Sequence, residues 1–150
     1  MIDKNKIPKE LLIILENNLK GRTEEFHFPP PVFEAMQGEL INYDLQEKTI
    51  VIKYPILKEQ LNPYGNMQGG IISAAIDNTI GPLSVLVAPP NFTRHMETKY
   101  AKIISPDLKH IFVSATFIKQ KKRQLFFEAI IKDKMGNKLA TAKTTNWIID

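Results

Sequence analysis

The sequence predicts an α+β domain in which one antiparallel sheet packs against one buried helix. A long apolar segment follows the glycine pair at 69–70, and from residue 68 to residue 91 its one ionisable side chain is Asp77. A helix that is apolar on most faces is typical of a protein core that other elements surround. The second half of the chain contains strand-like segments, one of which alternates to give a clearly apolar face: Leu125, Phe127, Ala129 and Ile131.

Length and composition describe an ordinary globular domain. The chain has 150 residues, of which 43% are hydrophobic and 24% charged, and this is enough for one domain with a real core. It contains no cysteine, which excludes disulfides, thiolate nucleophiles and cysteine metal sites. Its charged first residues run into a helix instead of a signal-peptide core, so we expect a cytoplasmic protein.

The first predicted element is an amphipathic helix over residues 8–20. Pro8 suits its first turn and Gly21 its C-terminal end, and leucines recur between them at helical spacing. Its polar side carries acidic and amide residues beside only two lysines, which does not favour a membrane-surface helix. Three prolines at 29–31 then predict an extended linker over residues 26–33, where Phe28 and Phe33 are candidates for a pocket wall.

Six strands are predicted on either side of the central helix. Residues 40–43 and 49–54 flank a polar hairpin loop, and Pro55 ends the second of them. After two prolines at 89–90, an antiparallel meander is predicted from four further strands, over residues 93–103, 111–119, 124–132 and 139–149.

The central helix contains an internal proline, Pro82. It removes the hydrogen bond to the carbonyl of Asn78, so we expect a kink or a break at Gly81-Pro82. A transmembrane interpretation of residues 71–88 is rejected, because four of these residues are each costly or disruptive in lipid: Asp77, Asn78, Gly81 and Pro82.

Two interpretations of Asp77 remain from the residues alone. Its carboxylate is either satisfied by local hydrogen bonds or water at the rim of the helix, or it is functional. The functional interpretation pairs it with Gly69, whose N–H lies at a helix start, where unsatisfied backbone donors polarise an oxygen. A helix rises ~1.5 Å per residue, which places Gly69 and Asp77 about 12 Å apart along one axis. Because that is too far for both to act on one carbonyl carbon, a site that uses both takes them from different chains.

These residues resemble the signature of hotdog-fold acyl-CoA thioesterases of the phenylacetyl-CoA thioesterase-like branch. That signature reads Asn-x-x-Gly-x-x-His-Gly-Gly, with an aspartate eight residues after the first glycine of the pair. Here it stands as Asn62, Gly65, Gly69, Gly70 and Asp77, and residues 93–100 resemble the strand that follows the central helix in the family. The chain departs from the pattern at the histidine position, which is occupied by Gln68.

The resemblance implies a hotdog fold, with the sheet wrapped around one long central helix and an extra N-terminal helix. It places a thioesterase-like domain at residues 35–150, preceded by the helix and linker at 1–34. The active site lies at a subunit interface, so we expect a homodimer or a dimer of dimers.

The implied activity is hydrolysis of acyl-CoA or aryl-CoA thioesters without a cofactor. The N–H of Gly69, with Asn62, polarises the thioester carbonyl, and Asp77 of the partner chain deprotonates water or attacks directly. Gln68, Gly70 and Thr93 are the implied substrate contacts. The alternative is a non-catalytic hotdog protein that binds an acyl or aromatic ligand, which the departure at Gln68 keeps open.

Two other function classes are not favoured. The net charge is +4, but the basic turn at residues 119–123 has no exposed aromatic residues beside it in sequence, which argues against nucleic-acid binding. Scattered lysines such as Lys99 and Lys102 suit the phosphates of coenzyme A better. The three histidines, at 27, 95 and 110, show no metal-ligand spacing, so we expect no metal site.

Overall fold

A computed structural model describes residues 1–149 and contains one six-stranded antiparallel sheet with one long helix against it. The strands are β1 (Glu39–Asp44), β2 (Thr49–Pro55), β3 (Asn91–Tyr100), β4 (His110–Lys121), β5 (Gln124–Lys132) and β6 (Lys138–Ile148). The helices are α1 (Lys9–Leu19), α2 (Pro31–Ala35) and α3 (Gly69–Val87). Since α3 contacts β2, β3, β4 and β5, the predicted helix within a sheet is confirmed.

The strand order of the sheet is β1-β2-β4-β5-β6-β3. The strands β4, β5 and β6 form the predicted meander, but the prediction is wrong for β3, which pairs with β6 instead of β4. Strand β2 takes the place beside β4, with Ile52 opposite Val113. The reason is that α3 carries the chain across the sheet before β3 begins, so β3 joins the far edge. Turn-forming residues indicate where strands end, but they do not indicate which strands pair.

The helix α3 is the centre of the larger apolar core. Nine of its residues are buried. Two of them, Thr79 and Ser84, are polar, and the other seven are apolar: Ile72, Ala75, Ile76, Ile80, Pro82, Leu83 and Val85. By length and composition this helix could cross a membrane, yet 50% of its most apolar window is buried inside the protein, as in a core helix. Its apolar character is therefore accounted for by the core.

Of the kink or break expected at Gly81-Pro82, the break is wrong, because α3 continues through Pro82 to Val87 as one helix. Pro82 still leaves the carbonyl of Asn78 without its helical donor. Burial of Ile80 before Pro82 and of Leu83 after it holds the helix on both sides of that position, so tertiary packing outweighs the local penalty.

The N-terminal segment packs on the C-terminal half of α3. The leucines at 11, 15 and 19 are buried as predicted, and the amide of Asn18 donates a hydrogen bond of 2.8 Å to the carbonyl of Val85. The helix ends where Lys20 and Gly21 adopt positive φ angles of 49° and 85°. The linker is shorter than predicted, since α2 begins at Pro31, a residue that is favourable in a first helical turn.

One buried hydroxyl pair joins α3 to the sheet. Tyr54 of β2 and Thr79 of α3 are both fully buried, and their hydroxyl oxygens are 3.0 Å apart. Thr79 donates its one hydroxyl proton to the carbonyl of Ala75 at 2.8 Å, so the phenol of Tyr54 is the donor of the pair. Burial raises the pKa of Tyr54, which keeps this donor protonated.

Because Tyr54 donates to Thr79, the substitutions Thr79→Val and Tyr54→Phe should lower the free energy of unfolding by different amounts. Thr79→Val leaves the Tyr54 hydroxyl buried without an acceptor and should lower the free energy of unfolding by about 1–3 kcal/mol. Tyr54→Phe leaves no buried polar group without a partner, so the loss of unfolding free energy should be smaller, about 0.5–1.5 kcal/mol. The double variant should be more stable than Thr79→Val alone, as measured by urea unfolding. A double variant with the summed loss of both single variants would contradict the assignment.

Candidate active site

Asp77 lies midway along α3 and is exposed within one chain. Its Oδ1 accepts a hydrogen bond of 2.7 Å from the hydroxyl of Thr93 in the edge strand β3. Among residues 1–149 no lysine, arginine or histidine forms an ion pair with this carboxylate. The carboxylate therefore has one fixed partner and is otherwise free to meet water or a ligand.

Asp77 and Thr93 line a cavity of about 430 Å³. Its walls come from four parts of the chain, which are the linker at residues 25–32, residues 77–85 of α3, the first residues of β3 and the end of β6. Phe26 and Phe28 of the linker are among the lining residues, so the predicted role of Phe28 as a pocket wall is confirmed. The volume falls within the ~300–1,000 Å³ that is usual for small-molecule sites.

Asn146 lies beside Thr93 in this cavity and was missed by sequence reasoning. The two residues are directly opposite in the β3–β6 pairing, which brings their side chains together on one face of the sheet. Asn146 is 2% exposed and donates from Nδ2 to Oδ1 of Asn91 at 2.9 Å, while its own Oδ1 has no hydrogen-bond partner among the described residues. A signal was available, because Asn146 is in phase with the inward-facing Ala140 and Ala142 of β6.

The other predicted site residues lie at the N-terminal end of α3. Gln68 is the N-cap residue, but its side chain makes no capping hydrogen bond. Within residues 1–149 the N–H groups of Gly69 and Gly70 have no backbone or side-chain acceptor. These two donors, at the positive end of the helix dipole, can therefore bind an oxygen that carries partial negative charge.

Local geometry does not require glycine at position 69. A Cβ atom built there would meet the ring of Tyr100 at 3.6 Å, which is ordinary van der Waals contact. Alanine favours a helix more than glycine does, so the absence of a side chain has no evident structural benefit. It does leave the Gly69 N–H open to close approach by another group.

Asn62 organises the turn that leads into Gln68. Its Oδ1 accepts hydrogen bonds from the backbone N–H groups of Tyr64 at 3.0 Å and Asn66 at 3.1 Å. Because the oxygen is occupied by the turn, the Nδ2 group is the part of this side chain that remains for a ligand. The predicted role of Asn62 in polarising a carbonyl would therefore require Nδ2.

A cluster of hydroxyl groups lies one helical turn beyond Gly69. Ser73 donates to the hydroxyl of Thr98 at 3.3 Å, so the Tyr100 hydroxyl, 2.7 Å from Ser73, is the donor to Ser73. The hydrogen-bond partners of the Ser73 hydroxyl are hydroxyl groups, which gives it no base that would make it a nucleophile.

The predicted site residues fall into two groups within one chain. Asp77 and Thr93 are in contact, whereas Asn62, Gln68, Gly69 and Gly70 share the loop and first turn of α3, and none of those four lines the Asp77 cavity. Gly69 and Asp77 belong to the same unbroken helix, so the distance of about 12 Å expected from the helical rise applies to them. Among residues 1–149 no three histidine or carboxylate side chains come together as a possible metal site.

Solved structures with the same fold include proteins whose names refer to thioesterases or to phenylacetic acid degradation. The Escherichia coli PaaI protein from the phenylacetic acid degradation operon has a TM-score of 0.75 at 13% identity, over 93% of this chain and 96% of that one. A putative thioesterase of Ralstonia eutropha, described as phenylacetic acid degradation-related, has a TM-score of 0.73 at 20% identity, over 87% and 100%. A Streptococcus mutans protein bound to acetyl-CoA has a TM-score of 0.69 at 14% identity, over 75% and 89%.

These likenesses confirm the predicted hotdog fold. No family model matches the sequence, and no curated protein matches it. The names of the similar structures agree with the family that the motif at residues 62–77 resembles.

The space at Gly69 predicts that Gly69→Ala folds normally. Its free energy of unfolding should change by less than about 0.5 kcal/mol, since the added methyl group meets only ordinary contacts. Gly38→Ala is the matched control, because a Cβ there would lie 2.6 Å from the ring of Phe33 and should cost about 1–3 kcal/mol. Thermal unfolding of both variants measures the difference. A Gly69→Ala protein as unstable as Gly38→Ala would show that glycine serves the fold.

Proposed function

We propose that this protein hydrolyses acyl-CoA thioesters at a site shared between two chains. The observation that carries the proposal is the Asp77 carboxylate, held by Thr93 in a cavity of about 430 Å³ on the same helix that presents two free N–H groups at its start. A carboxylate base and an uncapped helix N-terminus are the two parts that acyl transfer to water needs. The fold shared with thioesterase-superfamily proteins supports this reaction class.

In the proposed reaction, the N–H groups bind the carbonyl oxygen of the thioester, and the Asp77 carboxylate activates the attacking water. The thioester carbonyl oxygen accepts hydrogen bonds from the Gly69 N–H and from Nδ2 of Asn62 in one chain. A water beside Asp77 of the second chain gives a proton to the carboxylate while its oxygen adds to the carbonyl carbon. The tetrahedral intermediate then expels coenzyme A as its C–S bond breaks, and the thiolate sulfur takes the proton back from Asp77. Direct attack by Asp77 on the carbonyl is the alternative route to the same products.

Thr93 and Gln68 have supporting roles in this proposal. Thr93 donates to one oxygen of the Asp77 carboxylate, which fixes its orientation and leaves the second oxygen for water. Gln68 is exposed, and its Oε1 lies 3.5 Å from the position of a Cβ on Gly70, beside the approach to the free N–H groups. At that position it is a substrate contact, as Gly70 is through its N–H.

A second candidate function is binding of an acyl or aromatic ligand without turnover. It is favoured by one observation, which is that the position of the signature histidine holds Gln68, an amide that does not titrate. The same cavity and the same N–H groups would then hold a thioester or an acid in place.

Hydrolysis of a panel of acyl-CoA and aryl-CoA thioesters tests the proposal, with Asp77→Asn as the diagnostic variant. Asparagine is nearly isosteric but does not accept the proton, so kcat should fall by about 10² to 10⁴ with the fold and substrate affinity retained. The matched control is Asp107→Asn, the same change at an exposed aspartate outside the site. Release of the CoA thiol, followed with a thiol reagent, measures the rate.

Two results would count against the proposed mechanism. A folded Asp77→Asn protein with unchanged kcat would remove Asp77 from the reaction. A wild-type protein that binds acyl-CoA but releases no thiol from any member of the panel would favour the binding function.

A further inference from the structure

A second cavity, of about 560 Å³, adjoins the Asp77 cavity. It lies between α1 and the surface made by α3, β1 and β2. The two cavities share three lining residues, Phe28, Pro82 and Val85. These side chains are therefore the common wall between the site of the Asp77 carboxylate and the space under α1.

The second cavity is apolar along most of its wall. Its lining includes Leu11 and Leu15 of α1 and Ile50 and Ile52 of β2, and all four are at most 4% exposed. The charged residues of the wall, Lys6 and Glu34, are exposed and bind each other at 2.6 Å. A charged pair of this kind marks the rim of the cavity, where the exposed Gln37 also lies, while the buried part of the wall is apolar.

This space is a half-open groove that meets solvent where its lining residues Lys6 and Glu34 are exposed. An apolar group that displaces water from an apolar groove gains free energy in proportion to the apolar surface that it buries. The volume of this space is within the ~300–1,000 Å³ range of sites for small molecules.

We propose that the space under α1 holds the acyl chain of the substrate, which makes the preferred substrate a thioester of an unbranched fatty acid of medium length, from octanoyl to lauroyl. This inference rests on the proposed function, because it takes the thioester carbonyl to lie at Asp77. From that carbon the chain passes Phe28, Pro82 and Val85 and ends between α1 and β2.

The position of the wall favours a flexible chain over a compact group. An acetyl group ends at the thioester and cannot reach past the three shared side chains. A phenylacetyl group is short enough to remain in the cavity at Asp77, among Phe26, Phe28 and Phe92, and has no need of the second one. Only a linear chain spans both cavities, and each methylene that it buries should raise affinity for the transition state about two- to fourfold.

The shared wall is fixed by the start of the chain. The backbone N–H of Phe28 donates to the carbonyl of Met1 at 3.0 Å, and the N–H of Asp3 donates to the carbonyl of Phe28 at 2.8 Å. Residues 1–28 therefore act as a specificity element, because they supply Phe28 to the wall shared by the two cavities and α1 to the second cavity.

The test is the dependence of kcat/KM on chain length in wild type, Leu15→Phe and Ile13→Phe, from acetyl-CoA to lauroyl-CoA with phenylacetyl-CoA included. In the wild type kcat/KM should rise about two- to fourfold per methylene up to the octanoyl range or beyond. Leu15→Phe adds bulk to the cavity from a residue that does not line the Asp77 site, so lauroyl-CoA should lose about 10- to 100-fold and butyryl-CoA less than about twofold. Ile13→Phe is the matched control, since Ile13 is 61% exposed on the opposite side of α1.

Leu11→Phe is a second variant at the same wall and replaces Leu15→Phe if that protein does not fold, as judged by thermal unfolding. A flat chain-length profile, or equal losses for butyryl-CoA and lauroyl-CoA in the folded variant, overturns the inference and leaves the thioesterase proposal standing. If no thioester is hydrolysed, the proposed function fails and dodecanoate binding by calorimetry decides the inference. If Leu15→Phe weakens dodecanoate binding at least tenfold and Ile13→Phe does not, the result supports the inference. If the protein does not bind dodecanoate, the inference is overturned.

Discussion

The structure depends on the burial of one apolar helix in a sheet that does not close. The sheet packs on α3 through strands that include β2, β3, β4 and β5, while the outer edges of its two edge strands, β1 and β3, have no strand beside them among residues 1–149. The side of α3 that the sheet leaves open is covered by α1 and by the linker at residues 25–32. Asp77 emerges on this open side, which is why an acid on an otherwise apolar helix is tolerated and why it faces a cavity. The same arrangement leaves the space beneath α1.

The length of α3 then determines how its two polar features work. The free N–H groups lie at its first residues and the carboxylate lies two turns later, so one chain cannot bring both to the same carbonyl. Pairing of two chains so that α3 of one approaches α3 of the other removes this separation. The outer edge of β3, the strand that carries Thr93, has no strand beside it among residues 1–149 and is a natural place for two sheets to join. Residues that are exposed in one chain, Asp77 and Gln68 among them, would then line a shared site.

Much of the fold follows from the sequence because local signals determine its elements. Strand β5 matches its predicted bounds, and the alternating residues from Leu125 to Ile131 are buried as expected. The place of β3 in the sheet does not follow, because it depends on where α3 delivers the chain. The continuity of α3 through Pro82 also depends on tertiary packing, which a local rule about proline does not include. In the site, the motif at residues 62–77 indicates the chemistry, but the contact between Thr93 and Asp77 and the buried position of Asn146 require the register of β3 and β6.

The central claim, that two chains share each site, is tested most directly by mixing two inactive variants. Asn62→Ala damages the carbonyl-binding group and Asp77→Asn the base, so each homodimer should be nearly inactive. In a mixed dimer one site receives both lesions, and the other receives wild-type Asn62 from one chain and wild-type Asp77 from the other. If chains pair at random, refolding equal amounts together should recover about a quarter of wild-type activity. Recovery no greater than the sum of the two separate variants, with chain exchange shown by pull-down of a tagged chain, would contradict the account.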